Sequence, residues 1–435
     1  VHRLVSELVR IERLAGRGDG VTADGRYAPL AAPGDLFRFG AGGAELIEAG
    51  SARVTPVCAH FPACGGCQLQ HVSDTAYARW CEERIAWALR GVGLEAAAYA
   101  PAQLTPPCSR RRAALRAVRT AGGVVLGHSS EASHRIVDMA ECHVLRPELL
   151  ALVAPLRALL ARHMRPGHGA GISMTLSDTG VDLLLSNLDV ARETDAADLA
   201  QFAQAHDLAR LAVEGPGGIA IIAMRRAPQV RLGAVDVRLP PVPFLQPTRE
   251  GEAALVAAVC TAAQGARRVA DLFCGLGTFA LPLAGAGARV LAVDASGPAI
   301  AALEAAARSA RPGLATAHRD LFRRPLTATE LAGFDVVVFD PPRAGAREQA
   351  AELARAALPC VIAVSCNPAT FARDAALLAA GGYRLGRIWP VGQFRWSTHI
   401  ELVAEFRRPG DRTRAARRAD ATGGARHANH PPSPD

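Results

Sequence analysis

The sequence predicts an α/β protein with a C-terminal Rossmann-like domain, a mixed α/β central domain and a small N-terminal β-barrel. Three observations carry this. Short apolar runs at 269–273, 290–293, 336–339 and 361–364 are each followed by Gly or Pro and an Ala/Leu-rich helical segment; strands alternating with helices call for a parallel sheet covered on both faces. Two more strand-like runs, 384–388 and 400–406, close that domain. Upstream, strand-like runs at 114–118, 124–126, 181–185 and 219–223 alternate with helical segments such as 149–162, which marks the mixed middle domain. The first 50 residues are broken into brief apolar runs by Gly16, Gly18, Gly20, Gly25 and Pro33-Gly34, the punctuation of a small barrel.

A length of 435 residues accommodates about three domains. The boundaries read as a barrel at 1–52, a central domain at 53–240, a Rossmann-like domain at 241–408 and a tail at 409–435. The tail is Arg, Ala, Pro and Gly without periodicity and is expected to be disordered. With 50% apolar and 21% charged residues, the chain as a whole is globular. No apolar run is long enough to span a bilayer, and the stretch containing Arg3, Glu7, Arg10, Glu12 and Arg13 lacks the apolar core of a secretory signal. A cytoplasmic location with no membrane partner is therefore expected. The net charge of +8 permits a polyanionic partner. All of the positive charge is Arg, with no Lys anywhere, so coding bias explains it as readily as a binding surface does. Ten cysteines in such a protein point to thiols, metal ligands or a nucleophile rather than a disulfide framework.

The segment Asp271-Leu272-Phe273-Cys274-Gly275-Leu276-Gly277-Thr278 lies where the first strand of the parallel domain turns into its first helix. Glycines there let the backbone approach a ligand closely. Asp294 ends the second strand, Asp320 the third and Asp340 the fourth, which with Asp271 gives acids at successive strand ends along the ligand-binding edge of the sheet. Helix N-capping explains any one of them; the set with the glycines reads better as a cofactor edge. Carboxylates would repel a pyrophosphate, so S-adenosylmethionine fits better than NAD. A Walker loop is impossible without Lys.

The fifth strand runs into Ser365-Cys366-Asn367-Pro368 and a helix. A thiol at that turn faces the same edge as Asp340, with helix N-terminal amides nearby to favour thiolate. Cys260, Cys274 and Cys360 read as small core hydrophobes. Glu401, in His399-Ile400-Glu401 at the start of the last strand, is a candidate base. Cys58-x5-Cys64-x2-Cys67 and the distant Cys142 make a four-thiolate set that suits either Zn²⁺ or an iron-sulfur cluster. Cys81 and Cys108 fall outside the set and read as structural. Arg110, Arg111, Arg112, Arg116 and Arg119 are candidates to track RNA phosphates.

Asp340-Pro341-Pro342-Arg343-Ala344-Gly345, Ser365-Cys366-Asn367-Pro368 with Thr370 and Arg373-Asp374, and His399-Ile400-Glu401 together resemble the RNA uracil-C5 methyltransferases, enzymes that make 5-methyluridine in ribosomal and transfer RNA. The resemblance covers nearly the whole chain. It implies a class I methyltransferase domain, with Cys366 the nucleophile and Glu401 the base. It also implies that Gln246, Phe273, Thr278, Asp294, Asp320 and Asp340 are the cofactor and substrate contacts. It favours a [4Fe-4S] cluster over zinc at Cys58, Cys64, Cys67 and Cys142, because ribosomal RNA members carry Cys at these places and transfer RNA members typically lack them. It makes the first 50 residues a TRAM barrel that binds RNA. The expected activity is methyl transfer from S-adenosylmethionine to C5 of a uridine, in 23S ribosomal RNA by preference and in transfer RNA as the alternative, by a monomer.

The chemistry explains the constellation. C5 of uracil is a weak nucleophile until a thiolate adds to C6. A base must then remove the C5 proton, and the uridine must be flipped out to be reached. Two departures from the family pattern are Thr248, where Asn is frequent, and Gly392, where Asp is frequent. Rival readings are a cytosine-C5 enzyme and a non-catalytic Fe-S RNA-binding or ribosome-assembly factor. Intact Cys366 and Glu401 argue against the second. An enzyme acting on an exocyclic amine would carry Asn-Pro-Pro-Tyr/Phe where Asp340-Pro341-Pro342-Arg343 stands.

Overall fold

A computed structural model describes residues 7–40, 42–130, 133, 135–188, 193–310 and 313–409. The tail assigned to disorder falls, beyond Pro409, outside the described residues.

Strands β1 (Glu7–Leu14), β2 (Gly20–Thr22), β3 (Tyr27–Ala28), β4 (Leu36–Gly40) and β5 (Gly43–Glu48) form an antiparallel sheet in the order β3-β2-β1-β4-β5. A register shift between Ile11 and Arg13 bends β1 so that it pairs with β2 on one side and β4 on the other. This curled sheet is consistent with the expected barrel. Its small core is Ile11, Ala28, Ala31 and Phe37. The Pro33-Gly34-Asp35 turn closes it: Asp35 is fully buried, accepts the Ala32 and Gly50 amides at 2.6 and 2.8 Å, and pairs with Arg53 at 2.7 Å. A buried carboxylate is tolerable only when so fully paired.

Helix α1 (Asp74–Arg90) follows Ser73, whose hydroxyl caps the Ala76 amide. Tyr77, Trp80, Cys81, Ile85 and Leu89 recur at helical spacing and are buried. Trp80 donates its indole N–H to Ala15 of the barrel, while the Tyr77 hydroxyl donates to the carbonyls of Ser397 and Phe394. Short strands β6 (Ala98–Tyr99) and β7 (Gln103–Leu104) then pair in parallel with a strand almost 300 residues later. Residues 74–104, although they lie in the 53–240 stretch, thus pack on the C-terminal sheet.

The central domain is a six-stranded sheet ordered β13-β12-β11-β10-β8-β9, built from β8 (Arg112–Thr120), β9 (Gly123–Gly127), β10 (Gly169–Ser177), β11 (Gly180–Ser186), β12 (Arg210–Gly215) and β13 (Gly218–Met224). Helices α2 (Pro147–Leu150), α3 (Val153–His163) and α4 (Glu193–Ala205) accompany it. The segment read as one helix is two, α2 and α3, broken at Ala151 and Leu152. Leu115, Leu126, Leu156, Leu160, Leu183 and Leu199 share its core. A hairpin, β14 (Gln229–Leu232) and β15 (Val235–Arg238), leads out of it.

The C-terminal domain runs α5 (Arg249–Ala262), β16 (Arg268–Leu272), α6 (Ala280–Gly285), β17 (Arg289–Asp294), α7 (Gly297–Ala310), β18 (Leu314–His318), β19 (Val336–Phe339), α8 (Arg347–Arg355), β20 (Cys360–Ser365), α9 (Pro368–Ala380), β21 (Arg384–Gly392) and β22 (Glu401–Arg407). Its sheet has the order β18-β17-β16-β19-β20-β22-β21, extended by β6, with β22 antiparallel to both neighbours. Every residue of β19 and β20 is buried. Alternate residues face two different cores: Val337, Phe339, Val361 and Ala363 on one side, Val336, Val338, Ile362 and Val364 on the other. Each such side chain contributes roughly 1.5–3 kcal/mol, which is why these runs are apolar without alternation.

Candidate active site

All five parallel strands point their carboxyl ends to one edge, and the candidate residues collect there. The loop after β16 is held open in unusual backbone conformations: Phe273, Gly275 and Gly277 have φ of +63°, +53° and +92°. The Asp294 carboxylate accepts the Gly275 amide at 2.8 Å and the Ser296 amide at 2.7 Å, tying the glycine loop to β17. Its oxygens retain lone pairs for a ligand's hydroxyls. Asp320 stands two residues past β18 and accepts the amides of Phe322 and Arg323, a turn-capping role. The rings of Phe322 and Phe273 pack at 5.5 Å, Phe322 being exposed. Thr278 is half-buried in the same loop.

Asp271 corrects the expectation that it joins the ligand edge. It lies inside β16, fully buried, and burial together with the nearby Asp340 and Asp294 pushes its carboxyl well above the ordinary range. It is an internal acid sealed within the strand rather than a group lying along the ligand edge. Gly277 is required where it is, since a Cβ there would meet Leu303 at 2.6 Å in a left-handed backbone. Gly277→Ala is expected to cost about 1–3 kcal/mol and to weaken S-adenosylmethionine binding. Thermal melting and titration calorimetry check this, and an unchanged melting point with unchanged affinity would contradict it.

Cys366 follows β20. Ser365 pairs with Leu402 in the antiparallel ladder, so the next residues along, Cys366 and Glu401, come opposite each other at its end. Asp340 follows β19, its amide bonded to the Leu272 carbonyl. Burial, then the neighbouring Glu401 and Asp340, push the Cys366 thiol up to about 11, while Arg343 opposes the rise. Burial, then Asp340, push Glu401 up to about 8, and a hydrogen bond from the Gln393 amide pulls it down. Burial alone takes Asp340 up to about 7. Cys366 and Glu401 both feel the charge of Asp340, which places the three at one site. Asn367 caps α9 and donates to the Arg343 carbonyl, fixing the thiol's turn against the Asp340-Pro341-Pro342-Arg343 loop.

Gln246 reaches this group from the segment before α5. Its carbonyl accepts from Arg111 Nε at 3.0 Å and its side-chain oxygen from Gln393 Nε2 at 2.8 Å. Arg111 is therefore not an RNA contact: it is buried in an ion pair with Glu252 at 2.6 Å that joins the central domain to α5. Arg112 stacks over the exposed Phe244, and Arg110 over Phe394 at 5.4 Å. Thr248 is the N-cap of α5, accepting the Gly251 amide. At Gly392 a Cβ would meet Leu104 of β7 at 2.7 Å, so β7 occupies the room an Asp would need. Gln393, the residue after that departure, bonds Gln246 and lies beside Glu401.

Cys58, Cys64, Cys67 and Cys142 line one pocket of about 460 Å³, open solvent included, together with His128 and Met139. Among the described residues, no three His, Cys, Asp or Glu are close enough to hold a single metal ion. Cys81 is buried in α1, whereas Cys108, read as structural, is exposed at a turn with φ of +54°. Cys274 and Cys360 are buried as expected, and Cys260 half-buried. No helix among the described residues is long and apolar enough to cross a membrane.

A sheet ordered 3-2-1-4-5-7-6, its last strand antiparallel, with a glycine loop after the first strand and an acid after the second, defines a class I methyltransferase. A family model described as tRNA (Uracil-5-)-methyltransferase matches residues 313–406. An RNA methyltransferase of Zymomonas mobilis is 42% identical over 91% of this chain and 99% of its own length. The 23S rRNA (uracil(1939)-C(5))-methyltransferase of Bordetella bronchiseptica is 33% identical over 83% of this chain and 82% of its own. The crystal structure of the Pyrococcus abyssi tRNA (uracil-54, C5)-methyltransferase with S-adenosyl-L-homocysteine superposes with a TM-score of 0.72 at 22% identity. That superposition covers 92% of this chain and all of that one. The chain belongs to the family of S-adenosylmethionine-dependent RNA (uracil-5-)-methyltransferases.

Proposed function

We propose that the protein methylates C5 of a uridine in 23S ribosomal RNA through a covalent adduct between Cys366 and C6 of the base. The observation that carries this is the meeting of Cys366, Glu401 and Asp340 at one sheet edge. S-adenosylmethionine, seated along Phe273, Thr278, Asp294 and Asp320, supplies an electrophilic methyl group. The Cys366 thiol loses its proton to solvent, favoured by Arg343 and the N-terminus of α9, and its sulfur bonds to C6. The C5–C6 π electrons move onto the C4 carbonyl as an enolate, and C5 gains the methyl as the sulfonium bond breaks. Glu401 takes the C5 proton, the C5–C6 double bond re-forms and the thiolate leaves.

The 33% identity to a 23S ribosomal RNA enzyme supports the choice of RNA. Mapping 5-methyluridine in ribosomal and transfer RNA from cells with and without the gene tests it. Loss from one 23S uridine is expected; loss confined to transfer RNA would reassign the substrate. In the same proposal the protein acts as a monomer, with an RNA-binding barrel at 1–52, a central domain at 53–240 and the methyltransferase domain at 241–408.

In the same proposal the four thiols, which line one pocket, hold a [4Fe-4S] cluster. Cys58, Cys64, Cys67 and Cys142 would hold it. When bound, it would cross-link the 58–67 loop to the segment before α2. Protein purified without oxygen is expected to contain about four irons per chain and to lose them in Cys64→Ser. Colourless protein with stoichiometric zinc would overturn the assignment.

A further inference from the structure

The four-thiol pocket and the candidate active site are neighbours, and two strips of chain run from one to the other. On the first side, the chain leaving Cys67 passes straight to the turn before the candidate base. The amides of Gln68 and Leu69 both donate to the Trp396 carbonyl at 2.8 Å, five residues ahead of Glu401. The Gln68 side chain spans the same gap: its Nε2 donates to the Gly65 carbonyl at 2.8 Å, and its Oε1 accepts the Thr398 amide at 3.4 Å. Trp396 has a φ of +60°, a conformation that persists only where the surroundings impose it.

On the second side, the chain following Cys142 pairs with residues 108–110. The carbonyls of His143 and Val144 accept the amides of Cys108 and Arg110 at 2.9 and 2.8 Å, and the Arg146 amide donates to the Arg110 carbonyl at 2.9 Å. The opposite edge of that strip holds the segment that carries Gln246. Arg111 donates its amide to the Pro247 carbonyl at 2.8 Å and its Nε to the Gln246 carbonyl at 3.0 Å, and Arg110 bridges to Thr248. The two strips close on each other where Gln393 bonds Gln246 and where the Arg110 guanidinium lies over the Phe394 ring. Gly66 and Val144 accordingly line one pocket with Thr248 and Gln393, of about 240 Å³ with open solvent included.

At the thiol end the strips meet through exposed contacts, the Ala140 amide with His60 Nε2 at 3.0 Å and the Ala59 amide with the Glu141 carboxylate, which compete with water. The pocket between them is built for an occupant. Four thiols line it, and His128 Nε2, sealed from solvent beside them, has no partner among the described residues. We propose that the four-thiol centre is a clamp on the uridine cleft: when Cys67 and Cys142 are bonded to one bound group, the turn that leads to Glu401 and the segment that carries Gln246 are held at a fixed separation. Gln68 is the positioning residue that passes this restraint to Thr398. The inference rests on the reading of the thiols as ligands and holds for an iron-sulfur cluster and for zinc alike. Its consequence is for catalysis, since a misplacement of about 1 Å in a substrate-positioning group costs about 100-fold in rate.

Hydrogen exchange on protein purified without oxygen, before and after its metal is stripped by mild oxidation and a chelator, provides the test. Stripping is expected to speed exchange about tenfold or more in residues 245–248 and 394–399, while the glycine loop at 271–278 stays as protected as before. Affinity for S-adenosylmethionine should be unchanged. Capture of RNA carrying 5-fluorouridine, whose C5 fluorine a base cannot remove so that the adduct persists on a denaturing gel, should slow by about 10–100-fold. Gln68→Ala leaves every thiol in place, so its metal content should match wild type; exchange should rise at 394–399 and not at 245–248, and capture should slow. Equal exchange in loaded and stripped protein, or a rise of the same size at 271–278, overturns the clamp. Wild-type exchange and capture in Gln68→Ala overturns the role of Gln68. Purified protein with neither iron nor zinc overturns the metal reading and the clamp with it, whereas failure of loaded protein to capture the RNA overturns the covalent reading and leaves the exchange result to decide the clamp.

Discussion

Cys366→Ala is expected to abolish methylation of uridine RNA, lowering turnover by about four orders of magnitude or more, the scale seen when a covalent nucleophile is removed from an enzyme. The reason is electronic. C5 of uracil acquires useful electron density only after a nucleophile adds at C6, and Cys366 is the thiol that follows Ser365 at the end of the ladder, beside Glu401. The thiol is half-buried and its side chain is small, so the variant should fold and bind S-adenosylmethionine as wild type does. Methyl transfer from labelled S-adenosylmethionine to transcribed 23S RNA fragments measures the effect. Equal incorporation by wild type and variant would remove Cys366 from the reaction.

Glu401→Gln should separate the two halves of the reaction. The adduct still forms and C5 still takes its methyl group, but the proton on C5 has no acceptor. Turnover is expected to fall by about 10²–10⁴, and a covalent protein–RNA species carrying the new methyl group should accumulate on denaturing gels. Rapid release of methylated RNA would contradict the assignment. The wild-type protein has a matching pH signature. Burial and the charge of Asp340 hold the Glu401 proton to about pH 8. The carboxylate that serves as base therefore becomes more abundant as pH rises, and log kcat/KM, which reports the free enzyme, should bend near 8, its slope falling from about two to about one, as only the Cys366 thiol, pushed up to about 11, remains to ionise. A flat profile across that range would exclude Glu401 as the base.

The same burial has a cost for stability. Asp340 and Glu401 keep their protons in the folded protein to about 7 and about 8, above their ordinary values. The folded state then binds more protons than the unfolded state from about pH 4, the ordinary carboxylate value, up to about 7 to 8, so stability declines as pH rises across that window. The site is poised for proton transfer at the expense of the fold that holds it.

Much of this was legible from the chain alone because its physics is local. A strand buried on both faces must be apolar throughout, so β16, β17, β19 and β20 announce themselves. A turn that brings backbone to a ligand needs the positive φ that Gly275 and Gly277 supply. A nucleophile must follow its strand, as Cys366 does. Asp294 likewise ends its strand where a short polar side chain can reach nearby amides.

What only the tertiary structure decided concerns partners far apart in sequence. Asp271 and Asp294 are acids at the ends of neighbouring runs, yet one is sealed inside β16 and the other bonded to the glycine loop. Arg111 looks like its neighbours Arg110 and Arg112, but Glu252, 141 residues away, turns it into a buried strut. Gln393 meets Gln246, 147 residues away, in a buried amide–amide bond that spacing alone does not announce. Periodicity and backbone propensity act over a few residues and leave their mark on the sequence, whereas the environment of a charge or an amide is set by which distant segments the fold lays against it.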